Sequence, residues 1–75
     1  MIVISELTGK EYQDEDAVFF RNLYQSTFYV KHNCMPIDMF CDGRDKLVMV
    51  FRRDDHNRMI KKWMENKQKM EHTDE

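Results

Sequence analysis

Hydrophobic and polar positions divide the chain into a strand, a helix, a hairpin and a second helix. Residues 1–5, "MIVIS", are short and rich in β-branched side chains, and the Gly-containing polar stretch "ELTGKEYQ" after them predicts a strand followed by a loop. Residues 14–33, "DEDAVFFRNLYQSTFYVKHN", open on acids, which suit the positive end of a helix, and carry Phe20, Leu23, Tyr24, Thr27 and Phe28 at helical spacing. The first helix is predicted here. It ends at Asn33, which tolerates the left-handed conformation, with Pro36 beyond it where a helix cannot continue. Plotted at about 100° per residue, Phe19 and Val30 widen the apolar stripe while Val18 and Tyr29 fall on the far side, so this helix is apolar on more than one face.

"PIDMFC" and "KLVMVF" flank the turn-rich "DGRD" and predict a β-hairpin. Directly opposed residues of a strand pair share a face, so the parity of the loop decides the sides. An odd loop places Ile37, Met39 and Cys41 with Leu47, Met49 and Phe51 on a wholly apolar face, and Asp38, Phe40, Val48, Val50 and Arg52 on the other. An even loop mixes these sets, and the odd loop is preferred. "DDHNRMIKKWMENKQKM" predicts the second helix, with Asp54 or Asp55 as N-cap and Met59, Ile60, Trp63, Met64 and Met70 in one stripe. Arg58, Lys61, Lys62, Glu65, Gln68 and Lys69 form its solvated side. The expected architecture is a two-layer α+β domain of order βαββα over residues 1–70, its hairpin-based sheet covered on one face by both helices, with residues 71–75 a disordered tail. If the first strand joins the hairpin in parallel, its helical crossover is right-handed.

Composition narrows the function classes. A chain of 75 residues holds one domain with a modest core. Its 12 Lys+Arg against 14 Asp+Glu give a net charge of −2, which lacks the basic footprint of a dedicated nucleic-acid binder. No run approaches membrane-spanning length. The start "MIVISEL" has no basic n-region and does not read as a secretory signal, so the expected compartment is the cytoplasm, where two cysteines are free thiols.

The stretch "HNCMPIDMFCDG" gathers a histidine, two cysteines and two aspartates, yet the spacing argues against a metal or redox site. On a continuous strand Cys34 and Cys41 would face opposite ways about 23 Å apart, and neither a CxxC pair nor a histidine pair at helical spacing is present. No metal or cofactor is expected. Cys41 reads as a small core residue, Cys34 as a loop thiol and His32 as a last-turn residue whose cationic form suits a helix C-terminus. "DDHNR" reads as a helix start, with His56 within reach of the apolar stripe as a packed residue. There is no nucleophile elbow, no phosphate-cradling glycine loop and no HExxH, so an enzyme is not expected, nor a small-molecule substrate. Seven methionines fit both an irregular core and an adaptable binding surface.

The run from "FFRNLYQSTFY" through "DGRDKLVMVF" to "MIKKWMENK" resembles a group of small uncharacterised domains of bacteriophages and other mobile elements. In that group an amphipathic helix with an "LY" pair leads through a helix-ending turn to a hairpin whose second strand ends in an aromatic-x-aromatic or apolar-x-Phe signature, and a short helix with a late Trp or Tyr follows. Leu23, Tyr24, Val48 through Phe51 and Trp63 carry the likeness, with Asn33 where the group tends to have Gly. The resemblance implies provenance rather than an activity. The expected function is that of a non-enzymatic interaction protein that binds, and thereby inhibits or assembles with, a host or defence protein, or that self-associates as a homodimer in the host cytoplasm. Its expected contact surface is the apolar excess of Val18, Tyr29, Phe40, Val48 and Val50. The alternative is a nucleic-acid-binding accessory domain using Arg21, Arg52, Arg53, Arg58, Lys61 and Lys62.

Overall fold

The structure, a computed structural model, describes residues 1–43 and 45–73, and side chains as far as Lys67. Along the chain lie β1 (Ile2–Ile4), β2 (Glu11–Gln13), a single 3-10 turn (Asp14–Asp16), β3 (Ala17–Phe20), α1 (Leu23–Lys31), β4 (Asp38–Cys41), β5 (Leu47–Arg52) and α2 (Arg53–Thr73). Strands β3, β5 and β4, in that spatial order, form an antiparallel sheet, and β1 pairs with β2 in a separate two-stranded one. The fold is α+β, built around the hairpin, with both helices on one face of the larger sheet.

The expected βαββα order is enriched by two strands. Residues 17–20 are not the start of the first helix but β3, whose alternation sends Val18 and Phe20 to the helical face while Ala17 joins Val48 and Val50 on the other. That alternation is why a helical wheel shows apolar residues all round this segment. Asn22 begins the helix, its side-chain oxygen accepting from the N–H groups of Tyr24 at 3.0 Å and Gln25 at 3.4 Å. At the other end Asn33 takes φ +64°, with Asn33 N–H bonded to Val30 C=O and Cys34 N–H to Tyr29 C=O. This is the Schellman arrangement foreseen from Asn33.

The hairpin has the odd loop, residues 42–46, with Cys41 opposite Leu47 and Met39 opposite Met49. On the helical face Phe51 is the floor of a core formed with Tyr29, Cys34, Met59 and Trp63, against which Val18, Phe20, Phe28, Val30, Met49 and Ile60 pack. Trp63 packs against Phe28, the rings tilted at 58° with centroids 5.5 Å apart. Ile37, expected on this face, precedes the first paired residue of β4 and turns to the opposite side to pack on the Val48 and Val50 cluster. Asp54 and Asp55 lie inside the first turn of α2 rather than at its cap, because the helix already starts at Arg53. The helical backbone continues past the expected end at 70 to Thr73. Expectations for the side chains of Gln68, Lys69 and Met70, and for residues 74 and 75, lie outside the described residues.

Candidate functional site

The face of the sheet turned away from the helices is closed by β1 and β2. Tyr12 points inward from β2 and, with Ile37 and Phe40, packs on Ala17, Val48 and Val50. Beneath it lies Asp38, which retains only 1% exposure. Tyr12 Oη donates to Asp38 Oδ2 at 2.7 Å, the N–H groups of Glu6 and Met39 each donate to Oδ1 at 2.8 Å, and Ser5 Oγ lies 3.3 Å from the same oxygen. Ser5 Oγ also reaches Ile37 C=O at 2.6 Å and accepts from Leu7 and Thr8 N–H, folding the turn that ends in Gly9 at φ +77°. Burial by itself pushes the Asp38 carboxyl up, but the donors of Tyr12, Glu6, Met39 and Ser5 together outweigh it and hold the group below the ordinary carboxylate value. Burial, then the bond to Asp38, pushes the Tyr12 phenol up, so it stays a protonated donor. The anion is held by dipoles and hydroxyls, which makes it an anchor for the β1–β2 unit.

This closure corrects the expected contact surface. Tyr29 and Val50 are fully buried and Val48 nearly so, and Val18 is half-buried against the helical core. Val48 and Val50 are absent from the surface because β1 and β2 cover the face that a bare hairpin would leave open, and Tyr29 because it turns from α1 into the core. Phe40 is half-buried and meets the half-exposed Phe19 edge to face at 6.3 Å. The large apolar side chains left outside are others. Ile2 and Ile4, at 58% and 65% exposure, stand on the outer face of β1, and Leu23 and Tyr24, at 50% and 78%, begin α1.

The cations are divided. Arg21 pairs with Asp42 and Arg58 with Asp55, both on the surface, while Arg53 donates to the backbone oxygens of Glu15 and Ala17 at 3.1 and 3.2 Å and thereby ties the start of α2 to β3. Arg52, Lys61 and Lys62 are exposed. Arg52 lines one groove, and Arg58 and Lys62 line another beside Cys34 and Asp55. An open groove of about 510 Å³ runs between Lys10, Tyr12, Asp16, Pro36 and Arg52, with charges of both signs on its walls.

The cysteines exchange their expected places. Cys34 is buried, because the cap of α1 turns it under Tyr29, and Cys41 is exposed at the far end of β4, beyond the cover of the helices. Both are free. Burial, with Asp55 adding to it against Arg58, pushes the Cys34 thiol up, so it is a packed residue rather than a nucleophile. Among the described residues no group of three or more His, Cys, Asp or Glu side chains is placed to hold a metal. His32 Nδ1 sits 2.9 Å from Phe28 C=O at the end of α1, and His56 lies between the helices, 2.8 Å from Tyr29 Oη.

The residues that pattern reading missed are Ser5, Tyr12 and their link to Asp38. A signal existed: the hairpin parity puts Asp38 on the same face as Phe40, Val48 and Val50, and an acid in such company needs a donor from elsewhere. In comparisons with protein-family models, curated proteins and solved structures, the chain matches none. Among the described residues no helix is long and apolar enough to cross a membrane.

Proposed function

We propose that this chain is a non-enzymatic interaction protein of phage or mobile-element type, which works in the host cytoplasm by binding a host or defence protein or a second copy of itself. The observation that carries this reading is the contrast between a closed interior and an apolar exterior. Both sheet faces already have cover, yet Ile2 and Ile4 stand side by side on β1 and Tyr24 projects from α1 beside Leu23. Paired surface aliphatics and a solvated tyrosine are the side chains that anchor protein contacts. Three of the chemistry-bearing groups are engaged within the fold: Asp38 in its ring of donors, His56 on Tyr29, and Cys34 in the core. The resemblance of the "LY" segment to mobile-element domains supports the provenance, and its Leu23 and Tyr24 are among the exposed residues.

Sedimentation velocity over a range of concentrations, run beside a salt titration of a labelled oligonucleotide, tests the reading. Concentration-dependent association lost in the Ile2→Lys/Ile4→Lys variant supports it. A salt-dependent oligonucleotide shift abolished by replacing Arg52, Lys61 and Lys62 would replace it with the nucleic-acid alternative.

A further inference from the structure

We propose that the bond between Tyr29 and His56 is an acid-sensitive latch, so that protonation of His56 frees the first turns of α2 from α1. The latch concerns regulation of the fold and does not depend on which partner the surface binds. Tyr29 Oη is 2.8 Å from His56 Nδ1 and accepts from Gln25 Nε2 at 3.1 Å, in a residue with no exposed surface. Gln25 and His56 are the partners of this buried hydroxyl, so with Gln25 donating, the arrangement that satisfies its own proton turns it toward an unprotonated Nδ1. A second proton on the ring converts that acceptor into a donor. The hydroxyl then faces two donors, and its proton finds an acceptor only if Gln25 turns its amide over.

Even after that rotation the imidazolium is badly placed. Phe20 of β3 stands 5.3 Å away and Phe51 of β5 closes the other side of Tyr29, neither offering a countercharge. From α1 the titratable group facing the ring is Tyr29 itself. On its own helix Arg53 adds a like charge, and Asp55 is drawn to Arg58. His56 also sits in the first turns of α2, where the helix dipole opposes a cation. Burial first, and Arg53 second, hold its pKa below the ordinary imidazole value, in keeping with this geometry. The unfolded or released histidine therefore binds its proton more readily than the latched one. The latch is fully formed above the ordinary pKa of about 6.5 and weakens as pH falls from there toward the folded value. Each unit of separation between the two raises the opening equilibrium about tenfold on acidification.

The test is an NMR titration of the His56 ring from pH 7.5 to 5.5, with hydrogen exchange of the Asn57 and Arg58 amides followed at each pH. In the parent, His56 is expected to titrate below 6.5, and exchange corrected for its intrinsic pH dependence is expected to accelerate as the pH falls. His56→Gln should show a flat corrected profile. Tyr29→Phe, which removes the donor to Nδ1, should move the His56 pKa back toward its ordinary value, and this decides the matter even if His56→Gln does not fold. A His56 pKa at or above 6.5, a titration unmoved by Tyr29→Phe, or equal profiles in parent and His56→Gln would overturn the proposal.

Discussion

Replacing Asp38 with alanine is expected to detach the β1–β2 unit from the larger sheet. The donors from Tyr12 Oη and Glu6 N–H, at 2.7 and 2.8 Å, are the two short ones that cross from that unit to Asp38, with Ser5 Oγ farther off at 3.3 Å. A hydrogen bond to a charged group contributes about 1.5–3 kcal/mol, so losing both costs roughly 3–6 kcal/mol, before counting Met39 N–H, which lies beside the carboxylate in β4. At about 0.05–0.15 kcal/mol per residue, a chain of 75 residues has a total stability of roughly 4–11 kcal/mol. The substitution therefore removes a large share of it. Tyr12→Phe loses one of the two bonds and keeps the packing on Val48 and Val50, so its cost should be about half. Chemical denaturation followed by Trp63 fluorescence gives the global figure, and hydrogen exchange at the Ile2↔Gln13 and Ile4↔Glu11 pairs reads the detachment. Because the folded Asp38 carboxyl lies below its ordinary pKa of about 3.9, its contribution is present above that pH and lost as pH falls through the folded value. Asp38→Ala should lack this loss. An Asp38→Ala protein within about 0.5 kcal/mol of the parent, with unchanged exchange in β1 and β2, would refute the anchoring role.

Two further outcomes follow from the core. Trp63→Ala, which removes the ring packed on Phe28 and clustered with Phe51 and Met59, should cost about 3–5 kcal/mol and lower the melting temperature by well over 10 °C; a nearly unchanged melting temperature would mean that the helical face is packed differently. With a thiol reagent at neutral pH, Cys41 should react at once and Cys34 only on unfolding, and equal rates would contradict the burial of Cys34 beneath the α1 cap.

Much of the fold was legible where local chemistry and global packing agree. The turn-rich "DGRD" and the alternation on both sides of it specify the hairpin and its odd loop, and Asn33 marks the end of α1 through a conformation that few residues tolerate. The segment 14–20 misled because Phe20 continues the helical spacing of Leu23, Tyr24, Thr27 and Phe28. What makes it a strand is its pairing with β5, from Ala17 opposite Arg52 to Phe20 opposite Met49, a long-range contact that no local pattern announces. β2 was read as loop since "EYQ" is polar on either side of one tyrosine, and its role depends on Asp38 far along the chain. The error at the candidate site followed from these two. Without β2 in place, Val48 and Val50 looked uncovered, so the apolar excess was assigned to the wrong side chains. Ile2 and Ile4, read as part of a strand joining the hairpin, are among the apolar side chains left facing water. Val50→Asp would place a carboxylate in the closed interior and unfold the chain.

The claim that the outer face of β1 is a protein-binding surface is tested most directly by co-purification from the cells that express the chain. Parent and Ile2→Lys/Ile4→Lys would be compared there, each expressed beside a second, differently tagged copy. The account predicts that one protein, either a host protein or the second copy, is retained near one-to-one by the parent and lost from the variant, while the two melt at similar temperatures. Retention of the same proteins by both, or nucleic acid as the sole shared component, would contradict it.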